Sequence, residues 1–355
     1  MLPTFPPSKA DKIAAFNPND PAADNGQLFG LPFNFDESAV VLLPVPWEVT
    51  VSYQPGTAQG PKAILEASAQ VDLYDAALPH AWQYGYFMLD ISPEWSQRNH
   101  RLRPRAQEIL RYLEKGKTVE HDSQLGWTLE EINKACDQLQ HWVFEQTHTL
   151  LKRGKLVGVI GGEHSVPLGF IRALSTIHDS FGILQIDAHA DLRDTYEGFT
   201  YSHASIMHNA LQLGAIETLT IVGLRDYCEQ ESAPIARQPD RIRAFTDGAM
   251  QERLFTGDTW DAICRDIVQG LPDKVYISFD IDGLDPKLCP NTGTPVPGGL
   301  DWPKTQYLLK TLAESGKQII GFDLVEVAPG NDDWDGNVGA RLLYQLCNRM
   351  VQTQL

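Results

Sequence analysis

The chain has 355 residues, with 46 acidic side chains against 29 Lys and Arg, for a formal charge of −17. So acidic a balance disfavours nucleic acid or an anionic membrane surface as a partner, and no apolar run approaches the length of a membrane span. The five cysteines form no CxxC pair and fit reduced thiols better than a disulfide frame. With no basic or apolar leader in Met1-Leu2-Pro3-Thr4-Phe5-Pro6-Pro7, a cytoplasmic protein is expected.

Residues 1–36, rich in Pro, Asn, Asp and Gly, read as an extended N-terminal arm lying on the surface or on a neighbouring subunit. Residues 37–355 read as one domain. It opens with a strand at 40–45, a turn through Pro55 and Gly56, and a helix from about Lys62 to Ala69 that starts at Pro61. A second strand follows at 86–90. Residues 91–130 read as a polar, turn-rich segment with one helical piece near 105–113. A long helix then runs over 129–153, with apolar positions at Ile132, Leu139, Val143 and Leu150 and a glycine stop at Gly154.

From there strands alternate with helices. The strands fall at 156–160, 182–187, 218–223, 242–245, 275–280 and 318–325, and the last helix at 336–350. With about eight strands, this alternation predicts an α/β fold of three layers, α/β/α, around a central, mostly parallel eight-stranded sheet. A closed eight-stranded barrel is the alternative, because strand count alone does not separate the two.

Three acidic-histidine clusters each follow an apolar run: Gly161-Gly162-Glu163-His164-Ser165, Asp187-Ala188-His189-Ala190-Asp191, and Asp280-Ile281-Asp282-Gly283-Leu284-Asp285. Side chains alternate along an extended segment, so Asp187, His189 and Asp191 share one face, as do Asp280 and Asp282. Ligands bind beyond the carboxyl ends of strands in open α/β sheets, so the clusters can converge there. Two imidazoles and several carboxylates make a ligand set for two divalent metal ions, able to acidify a water held between them. A carboxylate-rich set without thiolate favours manganese, with nickel and iron also accepted. Glu163 reads as a brace for His164, Asp285 before Pro286 as a turn cap, and Cys289 as packing.

These three segments resemble, in order, the signature motifs of the ureohydrolase family of arginase, agmatinase, guanidinobutyrase and formimidoylglutamase. The resemblance covers roughly residues 38–350 and implies an arginase-like fold and a hydrolase that releases urea from a guanidino compound. It implies His164, Asp187 and Asp191 as ligands of one metal and His189 and Asp282 as ligands of the other, with Asp187 and Asp280 bridging. It further implies Asp191 and His203 as proton carriers and Glu326 as the carboxylate that grips the guanidinium, a planar cation suited to paired hydrogen bonds. A homo-oligomer, trimer or hexamer, is implied as well.

Substrate identity is less legible. Relatives with an agmatinase-type activity carry His-Gly-Thr where this chain has His203-Ala204-Ser205, and the arginase loop for an α-amino acid head group has no match at 195–202. A small cationic guanidino substrate without an α-carboxylate, agmatine or free guanidine, is therefore expected. Trp47, Trp302 and Trp334 fall in loops; an aromatic wall, Trp302 included, would suit a bare cation, although loop tryptophans also pack at subunit contacts. The alternatives are a guanidinobutyrase- or formimidoylglutamase-type amidine hydrolase, a single-zinc deacetylase, and a catalytically inactive metal-binding subunit.

Overall fold

Residues 7–23 and 25–355 are described by the structure, a computed structural model. Eight strands form one sheet: β1 (Val40–Val45), β2 (Tyr86–Met88), β3 (Leu156–Gly161), β4 (Phe181–Ile186), β5 (Ile216–Leu224), β6 (Ile242–Thr246), β7 (Lys274–Asp280) and β8 (Gln318–Val325). Their order is β2-β1-β3-β8-β7-β4-β5-β6, and every neighbouring pair is parallel. The sheet is open, with β2 and β6 at its edges, so the barrel alternative fails.

Strand alternation sorts the core into two layers. Val41, Leu43, Val157, Val159 and Ile183 belong to one buried cluster, and Val40, Leu42, Ile160, Leu184 and Ile186 to the other. Both faces are apolar because helices cover both, as a parallel sheet requires. The expected three-layer α/β/α architecture is what the chain forms.

Two stretches depart from the sequence reading. Between 1 and 36, where an extended arm was expected, the described residues include a helix, α1 (Lys9–Ala15), capped by Ser8. They also include Leu28, Phe29, Leu31 and Phe33, all buried in the main core, where the Phe29 ring meets Tyr344 at 5.0 Å and Tyr86 at 6.1 Å. Four large apolar side chains within six residues outweigh the turn-prone composition around them. Residues 1–6 and 24 lie outside the described residues.

After α2 (Gly60–Ser68), residues 91–130 are mostly helix rather than turns: α3 (Pro93–Leu113) and the start of α4 (Ser123–Lys152). Ser92 and Asp122 cap their first turns by accepting from Trp95 N and from Gln124 N and Leu125 N, which satisfies donors that a helix start leaves open. The buried stripe of α3 is Trp95, Asn99, Leu102, Arg103, Ala106, Ile109 and Leu110. Two of its members are polar, so the apolar period is broken in the sequence while the helical face is not.

Candidate metal centre and substrate cavity

The four central strands, β3, β8, β7 and β4, are neighbours in the sheet, and each delivers site residues from its carboxyl end. His164 follows β3, Glu326 follows β8, Asp280 ends β7 with Asp282 just beyond, and Asp187, His189 and Asp191 follow β4. Close backbone approach permits this: a Cβ on Gly283 would come within 2.6 Å of Asp187 N, and one on Gly162 within 2.0 Å of Trp47 O.

His164 Nδ1 stands 3.0 Å from Asp187, 2.8 Å from Asp191 and 3.4 Å from Asp280. His189 Nδ1 stands 3.5 Å from Asp187 and 3.1 Å from Asp282. Two ligand groups result, His164-Asp187-Asp280 and Asp187-His189-Asp282, and they share Asp187. All six residues expected to hold metal are therefore gathered at one place. Asp285 instead caps its turn, accepting from Lys287 N at 3.0 Å, and Cys289 donates to Ile281 O at 3.1 Å.

The fit to divalent cations can be tested on this geometry. His164 Nδ1 is buried and has no hydrogen-bond partner, although three carboxylates face it. Asp280 is pushed well above the usual carboxylate range by burial and by Asp282 and Asp187. Asp191 rises to about 7 through burial and Asp187. Buried carboxylates crowded onto an imidazole lone pair lack a positive charge among them, and two divalent ions would supply it. The residues fit a binuclear centre.

Two site carboxylates also sit in the left-handed backbone region, Asp191 at φ 54° and Glu326 at φ 61°. Non-glycine residues seldom adopt it, and here it aims both side chains into the cavity at some local cost. The bends are held by hydrogen bonds: Met207 N and His208 N donate to Asp191 O, and Glu326 N donates to Gly162 O at 2.7 Å. Glu326 Oε1 accepts from His164 N at 2.8 Å, and burial followed by the Glu163 charge raises its pKa well above the ordinary range.

Glu163 is fully buried and accepts from Thr50 N, Thr50 Oγ1 and Ser165 Oγ at 2.6–2.8 Å. It braces the loop beside His164, as expected of it. His203 is half-buried at the cavity, with Nε2 3.4 Å from Ser52 Oγ and its N–H donating to Thr50 Oγ1 at 3.1 Å. Burial and the neighbouring His189 lower its pKa to about 3.

His164, His189, Asp191, Asp280, His203 and Glu326 line a cavity of about 250 Å³, together with Arg193, Tyr196, Asp226, Tyr227, Glu231 and Thr294. No tryptophan lines it, so the tryptophan wall does not form; its aromatic lining is Tyr196 and Tyr227 instead. Trp302 packs against the main core at the start of helix Trp302–Ala313. Trp47 is fully buried against Trp95, and Trp334 donates to Lys287 O out on the surface. The lining residues missed from the sequence are Ser52, Tyr196, Asp226 and Tyr227, in loops with no periodic signal, and Glu231, in the first turn of the helix Glu229–Arg237. Arg193 lines the cavity while stacking on Tyr196 at 4.4 Å and lying 3.6 Å from Glu231.

Compared with known proteins, the chain matches the family model described as the Arginase family over residues 38–350. It is 33% identical over 297 residues to the N(1)-aminopropylagmatine ureohydrolase of Synechocystis sp., covering 83% of each chain. To the agmatinase of Halalkalibacterium halodurans it is 28% identical over 300 residues, 84% of this chain and 87% of that one. Among solved structures, the proclavaminate amidino hydrolase from Streptomyces clavuligerus superposes with a TM-score of 0.71 at 20% identity, over 94% of this chain and 100% of the other.

Proposed function

The chain belongs to the arginase family, and from that premise we propose that it is a binuclear metal-dependent ureohydrolase. It cleaves the guanidino C–N bond of a small cationic compound that lacks an α-carboxylate and releases urea. The observation that carries this reading is one cavity lined by His164, His189, Asp280, Asp191, His203 and the buried Glu326, with Asp187 3.0 Å from His164 and Asp282 3.1 Å from His189. Relatives named as agmatinase and aminopropylagmatine ureohydrolase support the cationic substrate class.

Two divalent ions held by His164, Asp187, Asp191, His189, Asp280 and Asp282 would supply an acidified water, their charge favouring its hydroxide form near neutral pH. Manganese comes first for so carboxylate-rich a set and nickel second. The remaining work belongs to the chain. Glu326 has one oxygen taken by His164 N–H, leaving the other to accept from a guanidinium and turn its carbon toward the metals. Asp191, with Oδ2 2.8 Å from His164 Nδ1, takes the proton released in the attack. His203, held neutral by burial, passes a proton between its Nε2, the Ser52 hydroxyl and the leaving amine.

The cavity favours a substrate with a tail over the bare cation. Without tryptophans to close it, its mouth is lined by Tyr196, Tyr227 and the largely exposed Asp226. Arg193, the cation that could meet a carboxylate tail, is occupied by Glu231 and Tyr196. An amine-tailed guanidine of the agmatine type thus ranks first and free guanidine second. We also place the chain in the cytoplasm, where its five free thiols stay reduced, as a homo-oligomer of three or six copies.

The test is urea release from protein loaded separately with Mn²⁺, Ni²⁺ or Zn²⁺ and offered agmatine, N1-aminopropylagmatine, guanidine, 4-guanidinobutyrate and arginine. Urea from the amine-tailed substrates supports the ranking, and urea from guanidine alone reverses it. No urea under any pairing removes the hydrolase reading.

A further inference from the structure

Arg103 takes no part in the chemistry above, yet it reaches into the site from behind. It stands on α3 at 7% exposure, and Asn99, one turn earlier, is 8% exposed. A spacing of four places both on one helical face. Both side chains go to the backbone of the loop that follows β1. Asn99 Oδ1 accepts from Glu48 N at 2.7 Å. Arg103 Nη1 donates to Val49 O at 3.2 Å and also to Val51 O.

The residue between those two carbonyls is Thr50. Its N–H and hydroxyl both donate to Glu163, at 2.7 and 2.8 Å, and its hydroxyl oxygen accepts from His203 N at 3.1 Å. Two residues on, Ser52 Oγ meets His203 Nε2. A path of direct contacts therefore runs from the buried face of α3, through one short loop, to the brace of His164 and to the imidazole at the cavity.

We infer that Arg103, seconded by Asn99, is a positioning residue: it clamps the Val49–Ser52 loop so that Thr50 and Ser52 hold Glu163 and His203 in register with the metal ligands. The inference rests on the hydrolase reading of the cavity. A guanidinium suits the task because its planar, fixed donors can hold two carbonyls at once. It is not an economical way to build a core. Arg103 Nε is buried without a partner, and burial lowers its pKa against the pull of Glu163, Glu48, Glu197 and Glu326. Replacing Arg103 by an apolar side chain of similar length removes its own burial cost but leaves the Val49 and Val51 carbonyls short of a donor, a loss confined to the loop. A purely structural arginine and a positioning arginine thus make different demands on the same variant.

The experiment compares Arg103→Met, Arg103→Lys, Thr50→Val and the Met/Val double variant as metal-loaded full-length protein. It reads kcat and KM for urea release, bound metal, thermal midpoint, and hydrogen–deuterium exchange of the peptide spanning residues 48–53. The expected result for Arg103→Met is a kcat lower by about tenfold or more, the scale of small misplacements in a site, with KM within about twofold. Bound metal should hold, the thermal midpoint should fall by no more than a few degrees, and exchange should quicken in that loop alone. Arg103→Lys recovers part of kcat. Thr50→Val shows the same loss with Arg103 in place, and the double variant is no worse than the worse single one, as expected when both act along one path.

An unchanged kcat in Arg103→Met overturns the assignment, as do losses that multiply in the double variant. Faster exchange across the whole sheet with lost metal would mean a folding role and also overturns it, unless Thr50→Val, still folded, shows the kcat loss by itself. If the wild-type protein releases no urea, the hydrolase reading fails. The clamp is then judged by loop exchange, and an unchanged loop in Arg103→Met overturns it too.

Discussion

His164 Nε2 and the Ser278 hydroxyl stand 2.9 Å apart. The hydroxyl donates onward to Asp323 Oδ2 at 2.9 Å, and Asp323 also accepts from Tyr276 OH and Phe279 N. With its own proton committed to Asp323, Ser278 is left to accept from His164 Nε2–H. That fixes the imidazole tautomer and turns the bare Nδ1 toward Asp187, Asp191 and Asp280.

Ser278→Ala should therefore weaken metal binding by about 10- to 100-fold without unfolding the chain. Metal titration of the apo protein, read by calorimetry, checks this. Wild-type affinity in the variant would mean that the Ser278 contact does not orient the ligand.

Asp191→Asn should keep most bound metal, since His164, Asp187 and Asp280 remain, and should lose turnover by about 100-fold or more, the scale of a lost proton carrier. Metal content and steady-state urea release measured on one preparation separate the two effects. Retained turnover removes the proton-carrier role.

Glu326→Gln can keep the bond from His164 N through the amide oxygen while losing the charge. Losing one charge-assisted hydrogen bond costs about 1.5–3 kcal/mol. The variant should thus bind guanidinium about 10- to 100-fold more weakly with its metals in place. Competition by guanidinium chloride at low concentration is the direct measurement, and unchanged inhibition would sink the role of Glu326.

Glu197 lies on the loop between Arg193 and His203, at φ 55°, with Oε2 buried and unpaired. Burial, then the charge of Glu114, raises its pKa from 4.5 to about 7. The folded state keeps this proton where the unfolded chain has released it, so the stability it contributes is present at low pH. That contribution is lost as pH rises through the interval from 4.5 to about 7. Thermal melts of wild type and Glu197→Gln should diverge in favour of the variant between pH 5 and 8. A gap that stays flat over that range contradicts the assignment.

Phe29, buried between Tyr86 and Tyr344, ties the N-terminal segment to the core. Phe29→Ala should cost about 3–5 kcal/mol, measured by denaturant unfolding. A loss below about 1 kcal/mol would show that the segment only rests on the surface.

What the sequence determined by itself was the parallel alternation of strands and helices and the three ligand clusters. Both are local: β-branched runs such as Lys274–Asp280 declare a strand, and the clusters declare ligands by residue type. The expected extended face is not what presents them, because 187–191 bends after β4 with Asp191 left-handed and Asp282 sits in a 3-10 turn. Glu326 and His203 were legible only through resemblance, since neither spacing nor composition ties them to a metal cluster. The tertiary structure alone decided how the strands are ordered, and it is that order which makes β3, β8, β7 and β4 adjacent and brings His164 within 3.0 Å of Asp187. It alone moved the tryptophans away from the cavity and put Tyr196, Tyr227 and Asp226 at its mouth. It also turned residues 93–113 into a helix whose buried face is partly polar. Arg103 and Asn99 look solvent-facing in any pattern built on hydropathy. They are buried because the loop after β1 offers them backbone groups to satisfy, and a partner some fifty positions away along the chain leaves no mark on local periodicity.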